Sequence, residues 1–280
     1  MKPIDRFNRE IISLKNAYRF LSENEYNNFL NLGDKLKEDL LREILENPID
    51  QWNEVTKLYF RSKWASLFNV LYADKDICVL EVASGDADMI PQTLSISNPN
   101  SNYIAANMNN ILNDSLIRKT KGLNINLELI DDDASKIRDY IDDNKVDIIA
   151  FQHGVNDVLQ AMLCSNNNID TVECEWMDLL PKMIELVKIE VENNTFAEKL
   201  REPFVSFINE LSYTLKEDGI IAINHYMFDL DLKWGYPREI FENLISIIRE
   251  WLAKSDYLEE VYLDGFDENW WLFLKKKIVV

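Results

Sequence analysis

From Asp76 onward, short apolar runs alternate with stretches of helical periodicity. The runs are, in order, ICVLEVA, NYIAANM, INLELI, VDIIAF and GIIAINHYMF. Continuous runs of Ile, Val and Leu are typical of strands buried on both faces of a sheet. Because helical stretches separate them, the pattern predicts a doubly wound, mostly parallel α/β sheet. Two strand-like runs near the C terminus, EEVYLD and NWWLFLKKK, complete a predicted seven-stranded sheet.

The N-terminal part of the chain is helical in pattern and shows no strand signal. One helical face, with apolar residues spaced by three and four, is formed by Phe7, Ile11, Leu14, Tyr18 and Leu21. Two further runs centre on Leu36, Leu40 and Ile44 and on Val55, Tyr59, Leu67 and Leu71. We therefore predict a helical cap or lid over residues 1–74. It would cover a substrate, merely pack on the main domain, or support an oligomer.

Residues 75–280 form the second predicted domain. Between its fourth and fifth strands, at about residues 165–209, the pattern predicts an inserted amphipathic helix marked by Trp176, Leu179, Leu180, Met183 and Val187. A further helix is predicted from about Pro237 to Lys254.

The turn after the first predicted strand is built from small residues. It reads Val-Leu-Glu-Val-Ala-Ser-Gly-Asp-Ala-Asp over residues 79–88. Small residues at 83, 85 and 87 let backbone amides approach a ligand closely. A dinucleotide fingerprint would place Asp88 where a glycine is needed, which would crowd the helix and repel a pyrophosphate.

This turn resembles instead the cofactor loop of class I methyltransferases, which use S-adenosylmethionine (SAM). Two glycines of that pattern are replaced here, by Ala83 and Ala87. The resemblance extends over roughly residues 76–280 and implies that Gly85 and its neighbours Ala83, Ser84 and Asp86 hold the methionine part. It implies that Glu81 orients the loop or the amine of the cofactor.

The later strand ends match the same family in order. The resemblance implies a ribose contact at Asn107, followed by Met108, where the family usually has a carboxylate. It implies an adenine contact at Asp133, followed by Ala134, although helix capping alone also explains an aspartate there. Gln152 and His153 would border the methionine part.

Candidate catalytic residues follow the fourth and fifth strands. The position of a frequent His-Asp pair is occupied by Asn156 and Asp157, and loss of that histidine is compatible with an amine or carboxylate acceptor that needs no base. For a hydroxyl acceptor Asp157 or His225 would serve as the base, and His153 is a further candidate. The aromatic residues after the fifth strand would form a substrate pocket, hold a cationic amine through cation–π contact, or belong to the core: Tyr226, Phe228, Trp234 and Tyr236.

Charge and cysteine content narrow the partners. The chain carries 49 acidic and 30 basic residues, a formal charge of −19, which disfavours a nucleic-acid substrate. Its three cysteines form no C-x-x-C pair, so we expect reduced thiols and no metal. We find no apolar run that could span a membrane and expect a cytoplasmic enzyme acting on a small molecule.

The predicted function is methyl transfer from SAM to nitrogen or oxygen of a small acceptor, leaving S-adenosylhomocysteine. Two alternatives stay open on the same scaffold: an aminopropyltransferase using decarboxylated SAM, and a non-catalytic binding module.

Overall fold

The computed structural model describes residues 20–46, 49 and 53–277, and within them seven strands form one sheet. The strands are β1 Cys78–Val82, β2 Asn102–Ala106, β3 Asn126–Ile130, β4 Val146–Gln152, β5 Leu215–Asn224, β6 Leu258–Val261 and β7 Trp271–Lys276. Their order is β3-β2-β1-β4-β5-β7-β6. Strands β1 to β5 are parallel, and β7 is antiparallel to β5 and β6. The predicted doubly wound, mostly parallel sheet is confirmed.

Helices surround this sheet. They are α1 Glu23–Asn31, α2 Asp34–Glu46, α3 Glu54–Tyr72, α4 Met89–Ser97, α5 Asn110–Thr120, α6 Val155–Asn166, α7 Trp176–Glu192, α8 Phe196–Thr214, α9 Asp229–Trp234, α10 Arg238–Phe241 and α11 Leu244–Leu252. A 3₁₀ turn follows β3 at Ala134–Asp139. The side chains of Ser22 and Asn53 cap the first turns of α1 and α3, which fixes where these helices begin.

Alternate residues of the central strands enter two different hydrophobic cores. On β1, Val79 packs with α3 and α4, whereas Leu80 packs with helices of the opposite layer. Phe60, Trp64 and Phe68 of α3 are completely buried. Burial of each contributes roughly 1.5–3 kcal/mol. Helix α3 is therefore an integral layer of the sheet's core, whichever role the predicted cap has.

The N-terminal segment also contacts the chain just after the carboxyl end of β5. The backbone of Ile49 accepts from Asp229 N at 3.0 Å and donates to Met227 O at 2.8 Å. Ile49 is buried and forms an isolated parallel bridge with Phe228. The segment thus holds the chain between β5 and α9 in place. The predicted lid function of residues 1–74 stays a prediction.

The predicted elements agree with the structure at some places and differ at others. The predicted helices around Leu40 and Tyr59 are present as α2 and α3, whereas the one beginning at Phe7 lies largely outside the described residues. Strand β3 lies at the edge of the sheet and is not buried on both faces. Its residues Asn126 and Glu128 are exposed, and Ile130 is buried.

The single helix predicted from Pro237 to Lys254 is wrong. The chain forms α10 and α11, separated at Glu242 and Asn243. The amide of Asn243 donates to Glu239 O at 2.8 Å, a local bond with which asparagine competes against helix continuation. The predicted insertion at residues 165–209 contains α7 and much of α8. Its status as an insertion stays a prediction. In the part of the chain described here, no helix is long and apolar enough to cross a membrane.

Candidate active site

A cleft of about 1400 Å³ opens at the carboxyl ends of the parallel strands. Strand order reverses between β1 and β4, the place where ligands bind in open α/β sheets. The volume of the cleft exceeds the roughly 300–1000 Å³ of ordinary ligand pockets. Most of the predicted site residues line it: Ala83, Ser84, Gly85, Asp86, Asn107, Met108, Asp133, Ala134, Gln152, His153 and Asp157.

The turn after β1 is sharply bent. Ala83 and Gly85 both have φ of +54°. Ala83 N donates to Ala106 O of β2, and Ala87 N closes the turn by donating to Ser84 O, both at 3.0 Å. Alanine at positive φ is strained, whereas glycine accepts this conformation freely. The turn is therefore held in place at the cost of strain at Ala83.

Ala83→Gly is expected to raise the free energy of unfolding by about 0.5–1 kcal/mol, because it relieves this strain. Ala87→Gly is the matched control. Ala87 is not among the described residues with positive φ, so glycine there should lower stability by about 0.5–1 kcal/mol. Urea unfolding of both variants measures the difference. Equal effects of the two substitutions would show that the bend at Ala83 is unstrained.

Glu81 lies below this turn and does not line the cleft. It is buried and accepts a hydrogen bond from the Tyr103 hydroxyl at 2.7 Å. Burial raises the pKa of Glu81 to about 8. A direct contact between Glu81 and a cofactor amine therefore does not fit this position. Its predicted role in orienting the loop stays a prediction.

Asn107 is oriented by hydrogen bonds made by its own amide. Its Nδ2 donates to Asn113 Oδ1 at 3.0 Å and to Gly85 O at 3.4 Å. Within the described ranges its Oδ1 receives no donor. Since both N–H groups are engaged, Oδ1 is left to accept from a ligand hydroxyl. A carboxylate here would face these two acceptors with no N–H group to donate, which favours the asparagine.

Two of the three aspartates after β3, Asp132 and Asp133, have different partners. Asp132 binds Lys136 Nζ at 2.8 Å and the Tyr140 hydroxyl at 2.8 Å, and these hydrogen bonds lower its pKa to about 2. Asp133 caps the 3₁₀ turn by accepting from Ser135 N at 2.8 Å through Oδ1. Its other oxygen receives no hydrogen bond from the described chain. Asp133 thus caps the turn and retains one acceptor at the cleft.

Gln152 ends β4 with its amide fixed in one direction. Its Oε1 accepts from the indole of Trp64 on α3 and from Asn224 Nδ2 at 2.8 Å. Gln152 is only 7% exposed and lines the cleft, yet its Nε2 has no acceptor in the described chain. The cleft therefore receives an N–H donor from a largely buried side chain that has no acceptor within the described chain.

The two histidines form a stacked pair. The rings of His153 and His225 lie 4.7 Å apart and are inclined by 5°. Burial lowers the pKa of His153 to about 4 and that of His225 well below its usual value. His153 has φ of +56° and lines the cleft, but His225 is buried behind it. His225 therefore does not reach a substrate directly, and its predicted catalytic role would have to act through His153.

Asp157 lies on α6 near a second carboxyl that the sequence pattern did not reveal, Asp231 of α9. Both line the cleft. Burial and the charge of Asp231 raise the pKa of Asp157 to about 7, and burial raises that of Asp231 to about 6. Sequence reasoning missed Asp231 because the short helix α9 carries no motif. It also missed Gly154, whose absent Cβ lets β4 approach the β1 turn.

The outer wall of the cleft is apolar. Trp176 borders it, and four large side chains that are 39–52% exposed line it: Val172, Met177, Leu230 and Trp234. No group of three or more His, Cys, Asp or Glu side chains suited to a metal ion occurs among the described residues.

No protein-family model matches the sequence, and no curated protein matches it. Several solved structures of low sequence identity are similar to this chain over part of its length. A SAM-dependent methyltransferase from Aquifex aeolicus is 15% identical, with a TM-score of 0.46 over 76% of this chain and 88% of that chain. A SAM-dependent methyltransferase from Thiobacillus denitrificans, in complex with S-adenosyl-L-homocysteine, is 16% identical. Its TM-score is 0.38 over 71% of this chain and 65% of that chain. A likeness of this extent does not identify a reaction.

Proposed function

We propose that this protein is a SAM-dependent methyltransferase acting on a small molecule. The observation that carries the proposal is the cleft at the reversal of strand order. It joins the bent β1 turn, the free acceptor Oδ1 of Asn107 and the free donor Nε2 of Gln152. These groups match the chemically different ends of one nucleoside that carries an amino acid.

Each part of SAM has a fitting group in the cleft. The ribose hydroxyls would donate to Asn107, and the adenine amino group would donate to the free oxygen of Asp133. Gln152 Nε2 and the backbone amides beside Gly85 would bind the carboxylate of the methionine part. Glu81, bonded to Tyr103 below the turn, would support the loop without touching the ligand.

When bound, SAM supplies a methyl group on a positively charged sulfur, from which it leaves as the electron pair stays with sulfur in S-adenosylhomocysteine. The residues of the chain need to hold the acceptor in line with that methyl group and exclude water. Trp176 and Trp234 border the cleft on its outer side and suit this exclusion. Asp157, with its pKa raised to about 7, is the group best suited to take a proton from an acceptor.

The charge of the cleft favours a small molecule over nucleic acid. Among the described residues that line it, nine have carboxyl side chains and one, Lys136, carries an ammonium group. Lys136 is already paired with Asp132. A phosphate backbone would be repelled by the carboxylates that line the cleft and by the formal charge of −19 of the whole chain.

Calorimetric titration with SAM and S-adenosylhomocysteine tests the proposal. We expect micromolar binding of both ligands. Asn107→Ala should weaken both by about 3- to 10-fold, since it removes one hydrogen-bond acceptor. Asn124→Ala is the control, because Asn124 is exposed before β3 and does not line the cleft. It should bind like the unmodified protein.

The outcomes separate the proposal from its rivals. Binding of neither ligand would overturn the proposal and favour a non-catalytic module. An aminopropyltransferase would prefer decarboxylated SAM, which lacks the carboxylate that Gln152 Nε2 suits. Equal or tighter binding of that ligand, with turnover of putrescine, would establish the aminopropyltransferase instead.

A further inference from the structure

Two carboxyl groups at the inner end of the cleft each keep one oxygen free. Asp157 Oδ1 accepts from Asn156 Nδ2 at 2.9 Å, and Asp231 Oδ2 accepts from Phe228 N at 2.8 Å. Asp157 Oδ2 and Asp231 Oδ1 have no donor in the described part of the chain. Asp231 is only 7% exposed and still lines the cleft. Each free oxygen lies on a carboxyl that lines the cleft and can accept a hydrogen bond from an N–H group of a ligand.

The other polar groups around the pair cannot neutralise it. The Tyr236 hydroxyl donates to Gln160 at 2.8 Å and not to either aspartate. His153 and its stacked partner His225 are uncharged at neutral pH because burial lowers their pKa values. His153 Nδ1 has no hydrogen-bond partner within the described structure. Tyr236, His153 and His225 therefore supply the pair with no positive counter-charge.

Apolar and aromatic surfaces continue from the carboxyl pair to the rim. Phe228 lies edge-on to His153, with centroids 4.9 Å apart, and also lines the cleft. Leu230 and Trp234 of α9 are exposed at the rim on the same helix as Asp231. A cation held beside aromatic faces gains cation–π attraction as well as charge pairing.

We propose that the acceptor is an amine with an apolar body, bound as an ammonium ion between Asp157 and Asp231. Two of its N–H groups would donate to the free oxygens of the two aspartates, and the apolar body would lie against Leu230 and Trp234. The inference rests on the proposed methyl transfer, since it names the acceptor of that reaction.

The same pair prepares the amine for reaction. An ammonium nitrogen has no lone pair, so one N–H bond must break before the nitrogen attacks. The proton passes to the Asp157 carboxylate, and the two electrons of that bond remain on nitrogen as the nucleophilic lone pair. Asp231 stays ionised and pairs with the charge that returns to nitrogen when the new bond to carbon forms.

Proton release during binding tests the inference without requiring turnover. With part of the Asp157 population protonated near pH 7, an ammonium ligand should expel about half a proton per site. Titration of the protein, saturated with S-adenosylhomocysteine, with phenethylamine in buffers of different ionisation enthalpy measures this number. We expect the isosteric 2-phenylethanol to bind at least 10-fold more weakly and to release no proton.

Variants locate the effect. Asp157→Asn and Asp231→Asn should each weaken phenethylamine at least 10-fold, and Asp157→Asn should remove the proton release. Glu175→Gln, which deletes the same charge from an exposed position of the cleft, should change affinity less than 2-fold. Binding of S-adenosylhomocysteine by all variants separates this inference from the proposed function. If that ligand binds but the alcohol equals the amine, the amine inference is wrong and methyl transfer stands. If that ligand does not bind, the proposed function fails.

Discussion

Gly154→Ala is expected to weaken SAM binding by roughly 10- to 100-fold. Gly154 follows β4 and begins α6, and a Cβ there would lie 2.9 Å from Val82 O and 3.1 Å from Ala83 O. Both atoms belong to backbone, so the neighbour that must move is the β1 turn itself. Overpacking of this kind costs about 1–3 kcal/mol. Because this cost falls on the turn that would bind SAM, we expect the binding free energy to weaken by a similar amount, which corresponds to the stated loss of affinity.

Gly219→Ala is the control that distinguishes a general loss of stability through crowding from a local effect on the β1 turn. A Cβ at Gly219 would lie 2.8 Å from Leu215 Cγ and 3.0 Å from Asp147 O, near the amino end of β4 and away from the cleft. This variant should lose stability in urea to a similar extent yet bind SAM within about 2-fold of the unmodified protein. Unimpaired SAM binding by Gly154→Ala, with a measured loss of stability, would exclude the β1 turn as the cofactor site.

Much of the candidate site can be predicted from the sequence, because the carboxyl ends of parallel strands lie along the same side of the sheet. The segments after β1, β2, β3 and β4 each begin where a continuous apolar run ends. The carboxyl ends of these runs meet at the same side of the sheet. That reasoning alone brings Gly85, Asn107, Asp133 and Gln152 to one cleft, and the structure places all four there. Their roles in holding a cofactor stay predictions.

Other features depend on packing that no local pattern records. His153 and His225 each follow a strand end, yet only His153 lines the cleft, because the two rings stack and His225 lies behind. Asp231 sits on a helix of six residues, too short for a periodic signal. Its position next to Asp157 arises from how the chain after β5 folds back. Similarly, β3 reads as a buried run although it forms the sheet's edge.

The departures from the resemblance have local physical reasons. Asn107 stands where the family usually has a carboxylate, and its amide donates to Gly85 O and Asn113 Oδ1. A carboxylate at this position would have no N–H group to donate, so it could form neither of these two hydrogen bonds. Ala83 replaces a glycine at positive φ, and its backbone amide is held by Ala106 O. Asn107 thus keeps its Oδ1 free to accept from a ligand, whereas Ala83 introduces backbone strain into the turn.

A large effect of pH on stability is expected from Glu81. Its pKa is raised from 4.5 in the unfolded chain to about 8 in the folded protein, mainly by burial. Between these values the folded state binds more protons than the unfolded state, so stability falls as pH rises. The contribution is fully present below about pH 4.5 and is lost by about pH 8. A shift of this size corresponds to roughly 3–5 kcal/mol.

Glu81→Gln should abolish this pH dependence, because an amide of nearly the same shape stays uncharged. Compared with the unmodified protein, the variant should gain roughly 3–5 kcal/mol in free energy of unfolding when urea unfolding is moved from pH 5 to pH 8.5. Taking the difference between the two proteins cancels the titration of Asp157, Asp231 and His153, which both share.

Tyr103→Phe changes the same titration in the opposite direction. The Tyr103 hydroxyl donates to Glu81 Oε2 and favours the ionised carboxylate, so its removal should raise the pKa of Glu81 further. Stability of this variant should keep falling above pH 8, where that of the unmodified protein levels off. Parallel pH profiles for all three proteins would mean that Glu81 is ionised in the fold. The strand below the β1 turn would then carry a buried negative charge, which a neutral, protonated carboxyl avoids.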